Sequence, residues 1–446
     1  MTAFRITSAT ILTINAGMDI LRGDVVVDPV GRIVFIGDSS TDFSHVPAIP
    51  FHGDFLLPGF VQAHVHLCQT LFRHHAENRH LLQWLGDRIW PMEGAHDPAT
   101  LTVSAEAGIA ELLRSGTTCL LDMGTVHHQD AVFDTLDRSG IRAAAGKAMM
   151  DAGDGVPASL TESTASSIDE STRLASRWHG ALDDRIRYAF APRFVLSCSP
   201  DLQHEVDHLS AEHGWLIHTH SSEQLQEIEV VERLHGQRNI HVLNELGMCG
   251  PRSVFAHGVH LDASERQTLR HTCTAICHCP SSNLKLGSGI ADIPQLLRDG
   301  VRVALGADGA PCNNGLDQFV EMRLAGLLQS VRLHPGALAP ADILRMATIG
   351  GATALGWDAD IGSIEVGKRA DFFRLRRNDH RLGVVADHDP YTAIVYTGCR
   401  DMVSDVWVNG RHLVQDGQVT TLDEAALTHR STHALKQVMA RAGLSV

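Results

Sequence analysis

Pro58-Gly59-Phe60-Val61-Gln62-Ala63-His64-Val65-His66 is an apolar run that ends in two histidines separated by one residue. Alternate side chains of a β-strand point to the same face, so the imidazoles of His64 and His66 project together. Two neutral imidazoles supply half of the four-ligand shell that zinc prefers. By itself a His-x-His pair fits a chance arrangement as well as a metal site, so the rest of the chain must decide.

The composition is that of an ordinary globular protein. The chain has 446 residues, 44% of them hydrophobic and 20% charged, with a formal net charge of −15. This length predicts one large barrel with an appendage, or two domains. The negative charge argues against a nucleic-acid partner, because binding phosphates needs clustered Lys and Arg. We expect no membrane association, since no run approaches the ~18 apolar residues of a span and no signal peptide is evident.

The nine cysteines are an odd number and are scattered along the chain. This usage fits reduced thiols and predicts a cytoplasmic location. Cys277-His278-Cys279 resembles a metal motif but lacks the spacing of a zinc knuckle, so we interpret it as structural.

Both ends of the chain show the alternation and turn residues of short strands. The strongest hairpin signal is Asn409-Gly410 between Val403–Val408 and Arg411–Val414. We predict that residues 1–57 and 366–420 assemble into one small β-sandwich domain. Residues 421–446 have helical spacing and few breakers, and are predicted to form a C-terminal helix.

The middle of the chain, residues 58–365, alternates short apolar runs with longer helical patterns, which is typical of parallel βα units. Eight strands are predicted: Phe55–His66, Thr117–Asp122, Ile141–Met150, Ile186–Phe194, Trp215–His220, Ser253–His257, Thr274–His278 and Arg302–Asp308. The fold class is therefore α/β, with a (β/α)8 TIM barrel. An open doubly wound sheet is the alternative, but no glycine-rich phosphate turn follows the first strand.

Polar side chains stand at the carboxyl ends of several predicted strands. His220 ends strand five, His257 ends strand six and Asp308 ends strand eight. In a barrel these ends converge, so the three residues meet His64 and His66. A buried Asp308 is costly to ionise unless a cation compensates it. The five residues together predict a metal site, although each alone could be a hydrogen-bonded core residue.

Glu223 follows His220 by three residues, in the predicted opening turn of the next helix. The helix dipole favours a carboxylate there. A first-turn glutamate without function is the simpler interpretation, but its place beside a metal site makes Glu223 a candidate proton shuttle.

Together these motifs make the chain resemble the amidohydrolase superfamily, in the branch of cytosine, guanine and S-adenosylhomocysteine/methylthioadenosine deaminases and triazine hydrolases. The resemblance covers nearly the whole chain. Besides the opening stretch, it is carried by His218-Thr219-His220-Ser221-Ser222-Glu223, Ala256-His257, His278-Cys279-Pro280-Ser281-Ser282-Asn283, Gly306-Ala307-Asp308-Gly309 and Gly362-Ser363-Ile364-Glu365-Val366-Gly367-Lys368-Arg369-Ala370-Asp371.

The resemblance implies a metal-dependent aminohydrolase in which hydroxide derived from water attacks an amino-substituted nitrogen heterocycle. It implies that His257 hydrogen-bonds the attacking water, that Glu223 protonates a ring nitrogen and that Asp308 accepts a proton. Strand four lacks the lysine with which two-metal relatives bridge their ions, which favours a single ion. The implied ligands of one divalent metal, zinc or alternatively Fe²⁺, are His64, His66, His220 and Asp308.

Two positions favour guanine as substrate. Gln69 and Arg193 match residues that hold the oxo and ring-nitrogen edge of the purine in guanine deaminases. The chemistry agrees, because Arg offers a planar donor fork and Gln a donor–acceptor pair. A surface Gln and an Arg in a structural ion pair remain the alternatives.

Other positions favour adenosine-type substrates. Gly309–Asn314, Leu71–Arg73 and Ile89–Glu93 resemble the nucleoside-deaminating group, in which the glutamate at Glu93 holds ribose hydroxyls. Guanine deaminases also carry this glutamate, so it does not discriminate. Trp84 could line the substrate pocket or belong to a helix core.

Guanine, or a related oxopurine or pterin, is therefore the lead substrate at this stage. The alternatives are an S-adenosylhomocysteine/methylthioadenosine deaminase, an s-triazine hydrolase and an inactive homologue. The expected partner is a small heterocyclic molecule, and the family resemblance implies a homodimer.

Overall fold

The computed structural model describes residues 1–38, 40–377, 380–382 and 388–445. Its strands β1–β19 are Phe4–Leu12, Ile20–Val27, Ile33–Gly37, Ala48–Pro50, Phe55–Pro58, Phe60–His66, Thr117–Asp122, Arg142–Ala145, Ala148–Met149, Ile186–Pro192, Leu216–Ser221, Ser253–His257, Ala275–His278, Arg302–Leu305, Asp308–Gly309, Phe372–Leu375, Val403–Val408, Arg411–Gln415 and Gln418–Val419.

The helices α1–α18 are Leu81–Trp84, Trp90–Glu93, Pro98–Arg114, Gln129–Ser139, Thr164–Trp178, Ala181–Asp184, Pro200–His213, Leu225–His235, Asn239–Glu245, Ala263–Thr272, Pro280–Lys285, Ile293–Arg298, Ala310–Asn313, Gln318–Arg332, Pro340–Ala347, Ile349–Ala354, Pro390–Thr397 and Glu424–Arg441. Short 3₁₀ helices cover Thr41–Phe43, Leu67–Phe72, Val195–Ser197 and Arg400–Met402, and a π-helical turn covers Leu85–Ile89. None of the described helices has the length and hydropathy that a membrane span requires.

Eight parallel strands form the barrel in the order β6, β7, β8, β10, β11, β12, β13 and β14. The short strand β15 follows β14 and pairs with β6, with Asp308 opposite Val65 and Gly309 opposite His66. This pairing brings the last strand segment back to the first. The prediction of a TIM barrel is therefore confirmed, and the open doubly wound alternative is wrong.

Strands from both chain ends form a second, mixed sheet, in the order β19, β18, β17, β16, β5, β1, β2 and β3, with β4 beside β1. Two strands separate β1 from β17, yet the rings of Phe4 and Trp407 stack with their centroids 6.1 Å apart. The sheet is therefore strongly curved around its own apolar core, which contains Ile6, Val25 and Phe372. The structure thus has one continuous hydrogen-bonded sheet, where a sandwich would have two separate sheets.

Two predicted elements are each divided in the structure. The strand predicted over Phe55–His66 breaks at Gly59, so that β5 joins the end sheet and β6 joins the barrel. A Cβ on Gly59 would lie 1.9 Å from Oγ1 of Thr118, so this crossing point has room only for glycine. The single helix predicted after His220 divides into α8 and α9, which are separated at the positive-φ residue Gly236.

A buried ion pair connects the barrel to the end sheet. Nε of Arg142, in β8, donates to Oδ2 of Asp371 at 2.8 Å, and its Nη2 donates to Oδ1 at 3.2 Å. Both side chains are inaccessible to solvent. The backbone N–H of Asn409 also donates to Asp371, at 2.7 Å, so one carboxylate holds the β17–β18 turn against the barrel.

Replacing Asp371 by Ala should lower the free energy of unfolding by about 3–5 kcal/mol, because Arg142 is left buried and unpaired. Urea denaturation measures this change. The matched control is Asp130→Ala, which breaks exposed pairs with Arg173 and Arg177 and should change the free energy by less than about 1 kcal/mol. Equal losses in the two variants would contradict a special role for the buried pair.

Candidate active site

The four residues predicted to bind a metal meet at the carboxyl ends of the barrel strands. His64 and His66 end β6, His220 lies one residue before the end of β11, and Asp308 opens β15. One ligand atom from each of the four side chains lies within 4.8 Å of the others. His220 is half-buried and the other three are buried. The structure thus brings the predicted ligands within reach of a single ion.

The proton on His64 is located by two hydrogen bonds. Nδ1 of His218 lies 2.8 Å from the carbonyl oxygen of Val254 and therefore donates to it. Nε2 of His218 is then an acceptor for Nδ1 of His64, 2.7 Å away. Burial lowers the pKa of His64 in spite of the opposing effect of Asp308, so the ring is neutral. Its Nε2 consequently presents a lone pair to Oδ1 of Asp308, 3.0 Å away.

His220 is held in the same way. Its Nδ1 donates to the carbonyl oxygen of Arg193 at 2.7 Å, which leaves a lone pair on Nε2. This atom lies 3.2 Å from Nε2 of His66, which is itself 3.3 Å from Oδ1 of Asp308. Burial, reinforced by His64, sets the pKa of both His66 and His220 well below its usual value.

These contacts fit a divalent cation. Nε2 of His64, Nε2 of His220 and Oδ1 of Asp308 are all hydrogen-bond acceptors, and the latter two lie close to Nε2 of His66. One proton on His66 could not join all of them by hydrogen bonds. A cation would satisfy the four side chains at once, and three imidazole nitrogens with one carboxylate oxygen are a donor set suited to zinc. Imidazole also suits Fe²⁺.

The surroundings of Asp308 favour its ionised form. Burial opposes its ionisation, but His257, whose own pKa is raised, favours it, and the pKa of Asp308 lies well below the usual range. Its Oδ2 accepts a hydrogen bond from Oγ of Ser282 at 2.6 Å. Asp308 and His257 have φ angles of +62° and +76°, which are uncommon for residues with a side chain. Strained backbone of this kind clusters at functional sites, where surrounding structure enforces it.

His257 lies between two carboxyl groups. Its Nδ1 donates to Oδ1 of Asn283 at 2.9 Å, so the ring orientation is fixed. Its Nε2 lies 3.5 Å from Oε2 of Glu223 and 3.9 Å from Oδ2 of Asp308. Burial alone would lower the pKa of His257, but these two acids outweigh it and raise the pKa.

Glu223 precedes the helix instead of opening it, which corrects the sequence prediction. Helix α8 begins at Leu225, and Oε2 of Glu227 accepts the backbone N–H of Glu223 at 2.9 Å. Burial raises the pKa of Glu223 to about 7. Oγ of Ser288 donates to its Oε1 at 3.0 Å. The carboxyl group can therefore hold a proton at neutral pH, whereas the helix dipole expected from the sequence would have favoured its ionised form.

A pocket opens onto the ligand residues. Gln69, Trp84 and Arg193 line it, as do Glu223 and His257. The other lining residues are His66, Leu81, Leu85, Phe194, His220, Glu227, Leu286 and Asp308.

The predicted substrate residue Glu93 is buried and contacts two lining residues. Its carboxylate accepts Nη1 and Nη2 of Arg193 at 2.6 and 3.3 Å, and Nε2 of Gln69 at 2.8 Å. Gln69 is thereby left with a buried Oε1 that has no partner among the described residues. A Cβ on Gly309 would lie 2.1 Å from this oxygen, so a side chain at position 309 would displace the Gln69 amide. The free oxygen is therefore an unused hydrogen-bond acceptor beside the pocket.

Three supporting residues received no role from the sequence. His218 fixes the tautomer of His64, Asn283 fixes the ring of His257, and Ser288 holds Glu223. His218 could have been found, because it stands two residues before His220 on the same face of one strand. Ser288 lies far from Glu223 in sequence, and no local pattern marks it.

Known proteins resemble this chain over almost its full length. Residues 55–413 match the model of the amidohydrolase family. A 5′-deoxyadenosine deaminase of Methanothermobacter thermautotrophicus is 38% identical over 406 residues, which are 91% of this chain and 92% of that protein. A 5-methylthioadenosine/S-adenosylhomocysteine deaminase of Bacillus cereus is 33% identical over 94% of this chain and 95% of its own length.

The fold comparison agrees. The crystal structure of an adenosine deaminase from Xanthomonas campestris, with bound zinc, superposes with a TM-score of 0.91 at 30% identity. The match covers 98% of this chain and 99% of the other. The chain belongs to the amidohydrolase family and is an aminohydrolase of that family.

Proposed function

We propose that this aminohydrolase deaminates adenosines modified at the 5′ position, such as 5′-deoxyadenosine and 5′-methylthioadenosine. The observation that carries this choice is the likeness to deaminases of these nucleosides across more than nine-tenths of both chains. It favours the adenosine-type alternative over guanine, the lead substrate from the sequence.

The free acceptor beside Arg193 is compatible with the same choice. Both Nη atoms of Arg193 bond to the carboxylate of Glu93, but guanine deaminases also carry this glutamate, so the pair does not separate the two substrates. The ribose hydroxyls of an adenosine offer donors for the free Oε1 of Gln69.

Deamination replaces the ring amino group by an oxygen from water and releases ammonia. A divalent cation on the four ligand residues would lower the pKa of water to near ~7 and so make a nucleophile available at neutral pH. Glu223 donates its proton to the neighbouring ring nitrogen while Oδ2 of Asp308 accepts the proton from water. His257, fixed by Asn283, lies between the two carboxyl groups. The amino group then takes the proton held by Asp308 and leaves as ammonia, while the hydroxyl proton of the tetrahedral carbon returns to Glu223 and the carbon becomes a carbonyl.

Ammonia release from purified enzyme tests the substrate class. We expect kcat/KM for 5′-deoxyadenosine to exceed that for guanine and for an amino-s-triazine by at least about tenfold, which corresponds to one well-made polar contact. A larger kcat/KM for guanine would contradict the proposal and restore the oxopurine hypothesis. Turnover of none of the three would favour an inactive homologue.

Replacing Glu223 by Gln should lower kcat by about 10²–10⁴-fold, because the amide cannot donate the carboxyl proton. The metal content should stay unchanged, since Glu223 is not one of the four proposed ligands. The control is Glu229→Gln on the exposed face of α8, which should keep wild-type kcat. An unimpaired Glu223→Gln enzyme would exclude Glu223 as the acid.

Elemental analysis should find about one divalent metal ion per chain, as expected for one four-ligand site. The His220→Ala variant should lose it. His218→Phe should weaken metal binding by roughly 10–100-fold, because the proton on His64 is no longer held away from its ligand atom. Competition with a chelator measures this affinity. The exposed His208→Ala is the control, and equal affinity in His218→Phe and His208→Ala would contradict the tautomer argument.

A further inference from the structure

Glu223 extends from the connection between β11 and α8, where the backbone belongs to no helix or strand. The residue before it, Ser222, has a φ angle of +55°. Oε2 of Glu227 accepts the backbone N–H of Glu223 at 2.9 Å and that of Gln224 at 3.4 Å. One carboxylate oxygen therefore holds two successive peptide groups at the base of the Glu223 side chain.

The other oxygen of the Glu227 carboxylate is also bound. Oε1 accepts a hydrogen bond from Nδ2 of Asn239, the first residue of α9. Both residues are buried. Every hydrogen bond described for Glu227 is thus one that it accepts, which suits an ionised carboxylate.

Glu265 occupies the same position in helix α10 and provides a comparison. Each glutamate is the third residue of its helix, is buried and accepts a backbone N–H at the helix start. Nε of Arg238 donates to Glu265 at 2.9 Å and compensates its charge. Within the described part of the chain, no Arg or Lys forms an ion pair with Glu227. A buried acid without a cation is costly, and a neutral side chain could accept the same N–H groups.

The charge of Glu227 acts on Glu223, because a neighbouring like charge disfavours ionisation of a carboxyl group. Burial is the largest cause of the raised pKa of Glu223, which is about 7. Asp308 and Glu227 act in the same direction, while His257 and the hydroxyl of Ser288 oppose them. Glu227 therefore contributes to keeping a proton on Glu223.

We propose that Glu227 is a positioning residue for the proton transfer: it holds the backbone of Glu223 outside helix α8, and its negative charge favours the protonated form of that acid. This inference rests on the role of Glu223 in the proposed function, but not on which heterocycle is the substrate. A simple helix cap would explain the hydrogen bonds that Glu227 accepts. It would not explain an acid without a cation in the lining of the pocket.

The Glu227→Gln variant tests the effect of the charge. An amide oxygen can still accept the N–H of Glu223, and the amide nitrogen can donate to Oδ1 of Asn239, which has no partner among the described residues. Glu223 is an acid only while protonated, so kcat falls as the pH rises through its pKa. In Glu227→Gln this fall should occur about one pH unit lower. Glu265→Gln should keep the wild-type profile, and an unchanged profile in Glu227→Gln would overturn the proposal.

The Glu227→Ala variant tests the hold on the backbone. Amide hydrogen exchange, followed by mass spectrometry on peptides that contain residues 222–225, should be at least about fivefold faster than in the wild type, because two N–H groups lose their acceptor. Glu265→Ala removes the corresponding contact of α10 and should leave exchange at residues 222–225 unchanged. Thermal melts confirm that both variants are folded. Wild-type exchange in Glu227→Ala would overturn the proposal.

Steady-state kinetics of metal-loaded Glu227→Ala measure the consequence for the reaction. We expect kcat to fall by about 10²-fold, because the acid is no longer held in position, with a much smaller change in KM. The metal content should equal that of the wild type, and Glu265→Ala should keep wild-type kcat. Wild-type kcat in Glu227→Ala would contradict a positioning role.

The exchange measurement separates this inference from the proposed function. If exchange at residues 222–225 responds as expected while the wild type deaminates no heterocycle, the hold of Glu227 on this backbone stands and the proposed function fails. If the wild type deaminates its nucleoside while Glu227→Ala has wild-type exchange, the proposed function stands and the inference fails.

Discussion

The site depends on one constraint: acceptor atoms face each other in a buried space. Nε2 of His64 meets the ionised Oδ1 of Asp308 across 3.0 Å, and neither atom has a proton to share. In a low-dielectric interior such a contact is unfavourable unless a positive charge stands between the atoms. Two strands that are distant in sequence but paired in space therefore form a site at which a bound cation should stabilise the folded protein.

The proton positions behind this constraint are set by the barrel itself. His218 donates to the backbone of the adjacent strand β12, and His220 donates to the carbonyl oxygen of Arg193, which follows β10. Both acceptors belong to neighbouring strands, so parallel strand pairing determines which imidazole nitrogens face inward. The closing pair β15–β6 then carries Asp308 to the end of the strand that holds His64. The strand pairing that closes the barrel therefore also brings the ligand residues together.

Much of this could be predicted from the sequence because it depends on strand ends. Alternation along a strand and convergence of carboxyl ends placed His64, His66 and His220 in one site. The rest depends on contacts between residues distant in sequence. The Glu93–Arg193 pair joins residues 100 positions apart, and no local pattern indicates that it closes the guanidinium fork. The glycine at position 59 is similar, because the side chain of Thr118, distant in sequence, leaves no room for a Cβ there.

The Glu93–Arg193 pair is a contact that the sequence alone did not indicate when it favoured an oxopurine. Seen singly, Arg193 is a donor fork suited to an oxopurine edge. Paired with Glu93, the Arg193 guanidinium no longer adds net charge to the pocket lining, and the free acceptor nearby is Oε1 of Gln69. One ion pair thus removes a positive charge from the pocket and fixes the orientation of an amide. A ligand that needed the cation would first have to separate a buried pair.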